Sequence, residues 1–253
     1  MKIEYKKDYT VTYTDVDLKA QLSLISCLEL AQNMVTDYFG SFQNDNLTLT
    51  NKYNAVWVYS KTKVHFWKKP IWRDELNIRT VASKIKPIRI NLETVFNDKN
   101  KENLFTVIQE TCVIDLDKRK AKKLNSINYP LDMEMEMPIF NDDFQKINES
   151  FEKNDFVYEQ KLFSSDIDYS KHTNNIVYIR LIMNSLENEF LNKINITDFE
   201  IHYLNERKEG EILKIYKKEK NSEIDFLIKD EKESKEIVRA NLKYMKCGEK
   251  VDI

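Results

Sequence analysis

Apolar residues recur at helical spacing in two separated stretches of the chain. From about Gln21 to Phe39, the residues Leu24, Cys27, Leu28, Ala31, Met34, Val35 and Tyr38 fall on one face of a 3.6-residue period, and Gly40 supplies a natural stop. From about Asn175 to Leu191, the residues Ile179, Ile182, Met183, Leu186 and Phe190 do the same. Each predicted helix is followed by β-branched and aromatic alternation, the mark of half-buried strands. After the first helix these strands cover Val56 to Val58, Lys61 to Trp67, Leu76 to Ala82, Ile88 to Phe96 and Phe105 to Leu116. After the second they cover Ile196 to Tyr203, Glu211 to Lys218, Glu223 to Lys229 and Glu236 to Tyr244.

The two halves also match in detail. Ahead of the second helix, residues 166–178 read Asp-Ile-Asp-Tyr-Ser-Lys-His-Thr-Asn-Asn-Ile-Val-Tyr. Ahead of the first, Asp15 and Asp17 match Asp166 and Asp168, while Gln21 and Ser23 stand where His172 and Asn174 stand. The strand after each helix agrees as well, with Val64-His65-Phe66-Trp67 set against Ile201-His202-Tyr203-Leu204. Agreement in order across three elements points to one fold used twice, with chemistry kept in the second copy. Between the copies, Asn128 to Phe156 holds Pro130, Pro138, alternating Met and Glu, and many charges, and reads as a linker. The expected organisation is therefore 1–127, a linker over 128–156, and 157–253. One long helix wrapped by an antiparallel sheet, twice, is a double hotdog of the α+β class. Other α+β folds fit the same periodicity.

Composition narrows the function. With 42% hydrophobic residues over 253 positions, the chain can bury a sizeable core. Only 3 glycines are present, and no Gly-rich phosphate loop or dinucleotide fingerprint appears. A formal charge of −2 gives no overall pull toward nucleic acid. Cys27, Cys112 and Cys247 are too few and too far apart for a disulfide scaffold or a zinc site and fit a reducing cytosol. The first two lie in apolar-patterned segments, as buried inert thiols do. Met1 to Thr10 is charged and polar, unlike a signal peptide, and no apolar run is long enough to span a bilayer.

Residues 166–178 gather a carboxylate (Asp168), an imidazole (His172) and two amides (Asn174, Asn175) at a helix entrance. Free backbone N–H groups and the positive end of the helix dipole lie there, suited to a developing negative charge. Imidazole is the natural group to move a proton near neutral pH. Each residue also has a plainer reading. Asp168 can close an Asx turn, Asn174 can be a helix cap, and Glu206 lies in a charged stretch that suits a solvated turn. Asp166 recurs as Asp15 in the copy without chemistry and reads as structural. His202 recurs as His65 and reads the same way.

The segment and its context resemble the acyl-acyl-carrier-protein thioesterases, the plant chain-terminating enzymes and their bacterial relatives. Their pattern before the second helix is close to Asp-Leu-Asp-x-Asn-x-His-x-Asn-Asn-x-x-Tyr. This chain supplies Asp166, Ile167, Asp168, Ser170, His172, Asn174, Asn175 and Tyr178 at that spacing. The family also carries a glutamate in a stretch like Glu-Tyr-Arg-Arg-Glu-Cys, and the counterpart here, His202 to Arg207, puts Glu206 at the acidic position. Ser170 replaces the family's Asn, and Arg207 replaces a cysteine once proposed as nucleophile, which favours attack by water.

The resemblance implies hydrolysis of fatty acyl-acyl-carrier protein to a free fatty acid. Asp168, His172 and Glu206 would be catalytic, and Ser170, Asn174 and Asn175 would position substrate or stabilise the oxyanion. It implies an acyl chain held in an apolar tunnel between helix and sheet, with the first copy as acyl-chain pocket, where each buried CH₂ contributes about 0.8 kcal/mol. It implies no metal and no organic cofactor, an acyl carrier protein as partner, and leaves a homodimer open. The basic run Lys118 to Lys123 suits a solvated turn or an acidic carrier. Two other readings use the same residues: an acyl-CoA thioesterase of the same fold, and an acyl-binding hotdog protein without activity.

Overall fold

The computed structural model describes residues 3–132, 135, 137–140, 143–232 and 234–248. The chain divides into two compact units, Met1–Asp143 and Phe144–Ile253. The first holds strand β1 (Glu4–Thr10), helices α1 (Leu24–Gly40) and α2 (Asn46–Tyr53), and strands β2 (Ala55–Phe66), β3 (Glu75–Lys86), β4 (Arg89–Asn97), β5 (Asn103–Asp115) and β6 (Ala121–Lys122). The second holds β7 (Phe156–Lys161), α3 (Asn175–Asn184), α4 (Asn188–Lys193), β8 (Ile194–Tyr203), β9 (Ile212–Lys220), β10 (Glu223–Asp230) and β11 (Glu236–Lys246).

Strand order is β1-β3-β4-β5-β2 in the first unit and β7-β9-β10-β11-β8 in the second, antiparallel throughout. Position for position this is one topology used twice. β4 and β5 are buried along nearly their whole length, as strands covered on both faces are. β1 and β7 end their sheets, and both are charged and largely exposed, which blunts an open edge.

Ser23 caps α1 by accepting the Ser26 N–H at 3.0 Å, and its counterpart Asn174 caps α3 by accepting the Ile176 N–H at 3.0 Å. The buried face of α1 carries the apolar residues that the periodicity selects. Beneath its C-terminal half Phe39 stacks on Trp57 with ring centres 4.2 Å apart, and Tyr38 and Tyr129 bring their hydroxyls to 3.3 Å. Tyr129, in the stretch that reads as linker, is thus a core residue. The second long helix is shorter than its pattern suggests. α3 ends at Asn184 because the Ser185 hydroxyl donates to the Ile182 carbonyl at 2.6 Å and its N–H turns back to the same carbonyl. Leu186 therefore lies past the helix and Phe190 falls in α4. Tyr158 on β7 holds this end of α3 by donating to the Leu181 carbonyl at 2.7 Å.

Met133, Glu134, Glu136, Asn141 and Asp142 of the expected linker lie outside the described residues. Its described parts are fastened to buried polar side chains. In the first unit, Glu93 accepts the Ile139 N–H at 3.0 Å, Phe140 stacks on His65 at 4.2 Å, and Lys63 donates to the Asp143 carbonyl at 2.9 Å. In the second, Glu200 accepts the Gln145 N–H at 2.9 Å and pairs with His202 at 2.7 Å. His202 is therefore structural in this unit. Cys27 is fully buried, and burial pushes its thiol pKa up, whereas Cys112 is only half-buried.

Phe39→Ala opens a cavity in the aromatic cluster. It should lower the unfolding free energy by about 3–5 kcal/mol in chemical denaturation, and a loss below about 1 kcal/mol would contradict this packing.

Candidate active site

The loop ahead of α3 is built by its own backbone. Asp168 N–H donates to the His172 carbonyl at 2.9 Å, Lys171 N–H to the Asp168 carbonyl at 2.9 Å, and Asn174 N–H to the Asp166 carbonyl at 2.9 Å. The tight turn requires a left-handed residue, and Lys171 takes it at φ 64°. The first unit repeats each bond: Asp17 to Gln21 at 2.7 Å, Ala20 to Asp17 at 3.0 Å, Ser23 to Asp15 at 2.9 Å, with Ala20 at φ 57°. Asp166 is a local brace, its carboxylate accepting the Phe163 N–H at 2.9 Å, as Asp15 accepts the Thr12 N–H at 2.7 Å.

A second loop, after β8, carries Glu206. Thr173 joins the two: its N–H and its hydroxyl both donate to the Arg207 carbonyl, each at 2.9 Å. This places His172 Nε2 3.4 Å from Glu206 Oε2. The imidazole is mostly covered and the carboxylate more open, with side-chain exposures of 19% and 37%. A base that is reachable by water and held against an imidazole can pass a proton in either direction. Beneath the loop Tyr178 is buried, and burial pushes its phenol up to about 12, with the nearby Arg207 charge working the other way.

The remaining motif residues sit as follows. Asp168 turns its carboxylate to Ser170, accepting the N–H at 2.8 Å and the hydroxyl at 2.5 Å, and makes no side-chain contact with His172. Asp168 thus closes an Asx turn. Asn174 is the helix cap, and its N–H is taken by the Asp166 carbonyl, so that donor is not open to an oxyanion. Asn175, the first residue of α3, keeps an N–H with no partner among the described residues. No group of three or more His, Cys, Asp and Glu is arranged to hold a metal ion among the described residues.

The first unit holds the same loops with different side chains. Leu22 N–H donates to the Pro70 carbonyl at 2.8 Å, in the place of the Thr173 to Arg207 bond. Lys69 lies four residues beyond His65, as Glu206 lies four beyond His202. Its ammonium is 3.9 Å from Asp17 Oδ2 and 5.1 Å above the Phe66 ring, and burial pushes its pKa down. A lysine paired with Asp17, the counterpart of Asp168, thus stands where the second unit has Glu206, and Gln21 stands where it has His172. Sequence reasoning missed Lys69, although its register opposite Glu206 was the available signal.

Two family models match successive parts of the chain. Residues 2–127 match the family model of the acyl-ACP thioesterase N-terminal domain, and residues 148–246 match that of the C-terminal domain. A chloroplastic acyl-[acyl-carrier-protein] hydrolase of Cuphea viscosissima is 24% identical over 163 residues, a match that spans 61% of this chain and 39% of that protein. Among solved structures, an acyl-ACP thioesterase from Bacteroides thetaiotaomicron superposes with a TM-score of 0.82 at 19% identity, covering 96% of this chain and 98% of the other. The 12:0-ACP thioesterase from Umbellularia californica superposes with a TM-score of 0.84 at 15% identity, with 96% and 98% covered. These likenesses bear out the double hotdog fold.

Loss of the cap has a defined cost. Asn174→Ala should lower stability by about 1 kcal/mol in urea denaturation. An unchanged midpoint would show that the side chain does not cap α3.

Proposed function

The chain belongs to the acyl-ACP thioesterase family, and from that premise we propose that it hydrolyses fatty acyl-acyl-carrier protein to a free fatty acid and the carrier thiol. The contact of 3.4 Å between His172 and Glu206 is the observation that carries this reading. Glu206 takes a proton from water as the water oxygen bonds to the thioester carbonyl carbon. The tetrahedral oxyanion forms at the entrance of α3, where the Asn175 N–H is the open donor. Collapse breaks the C–S bond as the proton held by Glu206 passes across the contact to His172, which delivers it to the departing sulfur, so that both side chains return to their starting states. Asp168, tied to Ser170, shapes the loop and keeps His172 and the carbonyl in place. Arg207 at the position of the family's cysteine leaves water as the attacking group.

The acyl chain lies along the apolar layer between a long helix and its sheet. Lys118, Lys120 and Lys123 are exposed around the turn from β5 to β6 and give an acidic carrier a basic edge to meet. Lys122 is drawn inward, donating to the Tyr53 carbonyl at 3.0 Å. Cys27, Cys112 and Cys247 form no disulfide among the described residues, which fits work in the cytosol. Among the described residues no helix is long and apolar enough to cross a membrane.

Thiol release from acyl-carrier proteins and acyl-CoAs of several chain lengths tests the proposal. Wild type should turn over the carrier thioester faster than the CoA thioester. Glu206→Gln and His172→Ala should each lower kcat by about 10²- to 10⁴-fold with unchanged thermal midpoints. A preference for CoA would move the substrate to acyl-CoA. No release from any acyl thioester would leave only acyl binding.

A further inference from the structure

Arg207 takes no part in the proton transfers written above, yet it is a buried charge beside them. It follows Glu206 in a loop without regular structure and is only 9% exposed. Its guanidinium reaches in two directions. Nη1 donates to the Glu206 carbonyl at 2.8 Å. Nε lies 3.3 Å from Glu211 Oε2 and 3.5 Å from Asp230 Oδ2, the latter a buried carboxylate at the end of β10. The backbone carbonyl of the same residue accepts both bonds from Thr173, which neighbours His172. One residue thus grips Glu206 through its fork and the His172 loop through its carbonyl, while Asp230 anchors it to the sheet.

We propose that Arg207 is a positioning residue that sets the distance between Glu206 and His172. The inference rests on reading those two side chains as the working pair. The guanidinium's hydrogen bond goes to the Glu206 carbonyl, while Nε and Nη2 make none among the described residues, so Glu211 and Asp230 hold it as charges, and its charge stays in place beside a buried carboxylate. A shorter side chain there would keep the carbonyl bonds from Thr173 and lose the guanidinium contacts.

The test uses the full chain and thiol release from an acyl-carrier protein. Arg207→Met keeps much of the stem and removes the fork. It should lower kcat by about 10- to 100-fold, as a displacement of about 1 Å does, with KM within about twofold of wild type. Arg207→Lys should recover little, because an ammonium cannot span both partners. On a Glu206→Gln background the same Arg207→Met change should cost less than about twofold, since the group it positions is already gone. An equal loss on both backgrounds, or a rise in KM alone, would overturn the positioning role. Should Arg207→Met fail to fold, Asp230→Asn loosens the fork from beneath. A severalfold lower kcat at unchanged KM supports the role, and unchanged kcat overturns it. If Glu206→Gln alone keeps full turnover, the assignment of Glu206 falls and this role falls with it. If Glu206→Gln loses turnover and Arg207→Met does not, only the positioning role falls.

Discussion

Two hydrogen bonds from Thr173 to the Arg207 carbonyl hold the second unit's chemistry together. Both loops run outside the sheet, so their backbone groups need partners that no strand supplies. A carbonyl has two lone pairs, and here both donors of one threonine are directed to it. The result is a fixed spacing between the turn that carries His172 and the loop that carries Glu206. Without that stitch the two side chains would sit on separate irregular segments, and a 3.4 Å approach would be one arrangement among many.

The first unit shows that the stitch belongs to the fold and the chemistry to the side chains. Leu22 and Pro70 make the backbone bond, and the turn before α1 repeats its partner's hydrogen bonds. The side chains diverge: Gln21 stands for His172, and Lys69, paired with Asp17, stands for Glu206. An amide and an ammonium thus replace the imidazole and the carboxylate of the second unit. Duplication thus leaves one copy free to serve packing, with the Phe39 and Trp57 stack and Tyr129 filling the space under α1.

The parts legible in the sequence are those with strong periodicity. The buried face of α1, Ile179 and Ile182 of α3, the central strands, and the repeated Asp-x-Asp before each helix follow from apolar spacing and matched residues. β1 and β7 were hidden because edge strands carry charges, so their alternation is faint. The break after Asn184 was hidden because it depends on one serine hydroxyl rather than on apolar pattern. The linker was visible as charged and Pro-containing, but its attachments to Glu93, Glu200 and Lys63 pair residues far apart in sequence. Within the site, the motif drew attention to His172 and Glu206. The Asx turn of Asp168 was open to the sequence as its plainer reading, whereas the capture of the Asn174 N–H follows from loop geometry that spacing does not reveal. Arg207 lay in a run of charges, where burial is the exception.

The claim beneath the rest is that His172 and Glu206 act as one proton-handling unit. A double-mutant cycle on kcat/KM for His172→Ala and Glu206→Gln, using an acyl-carrier protein substrate, reads it directly. The account predicts that the double variant loses little more than the worse single variant, because either change alone disables the pair. Losses that multiply would mean two groups working independently and would contradict it.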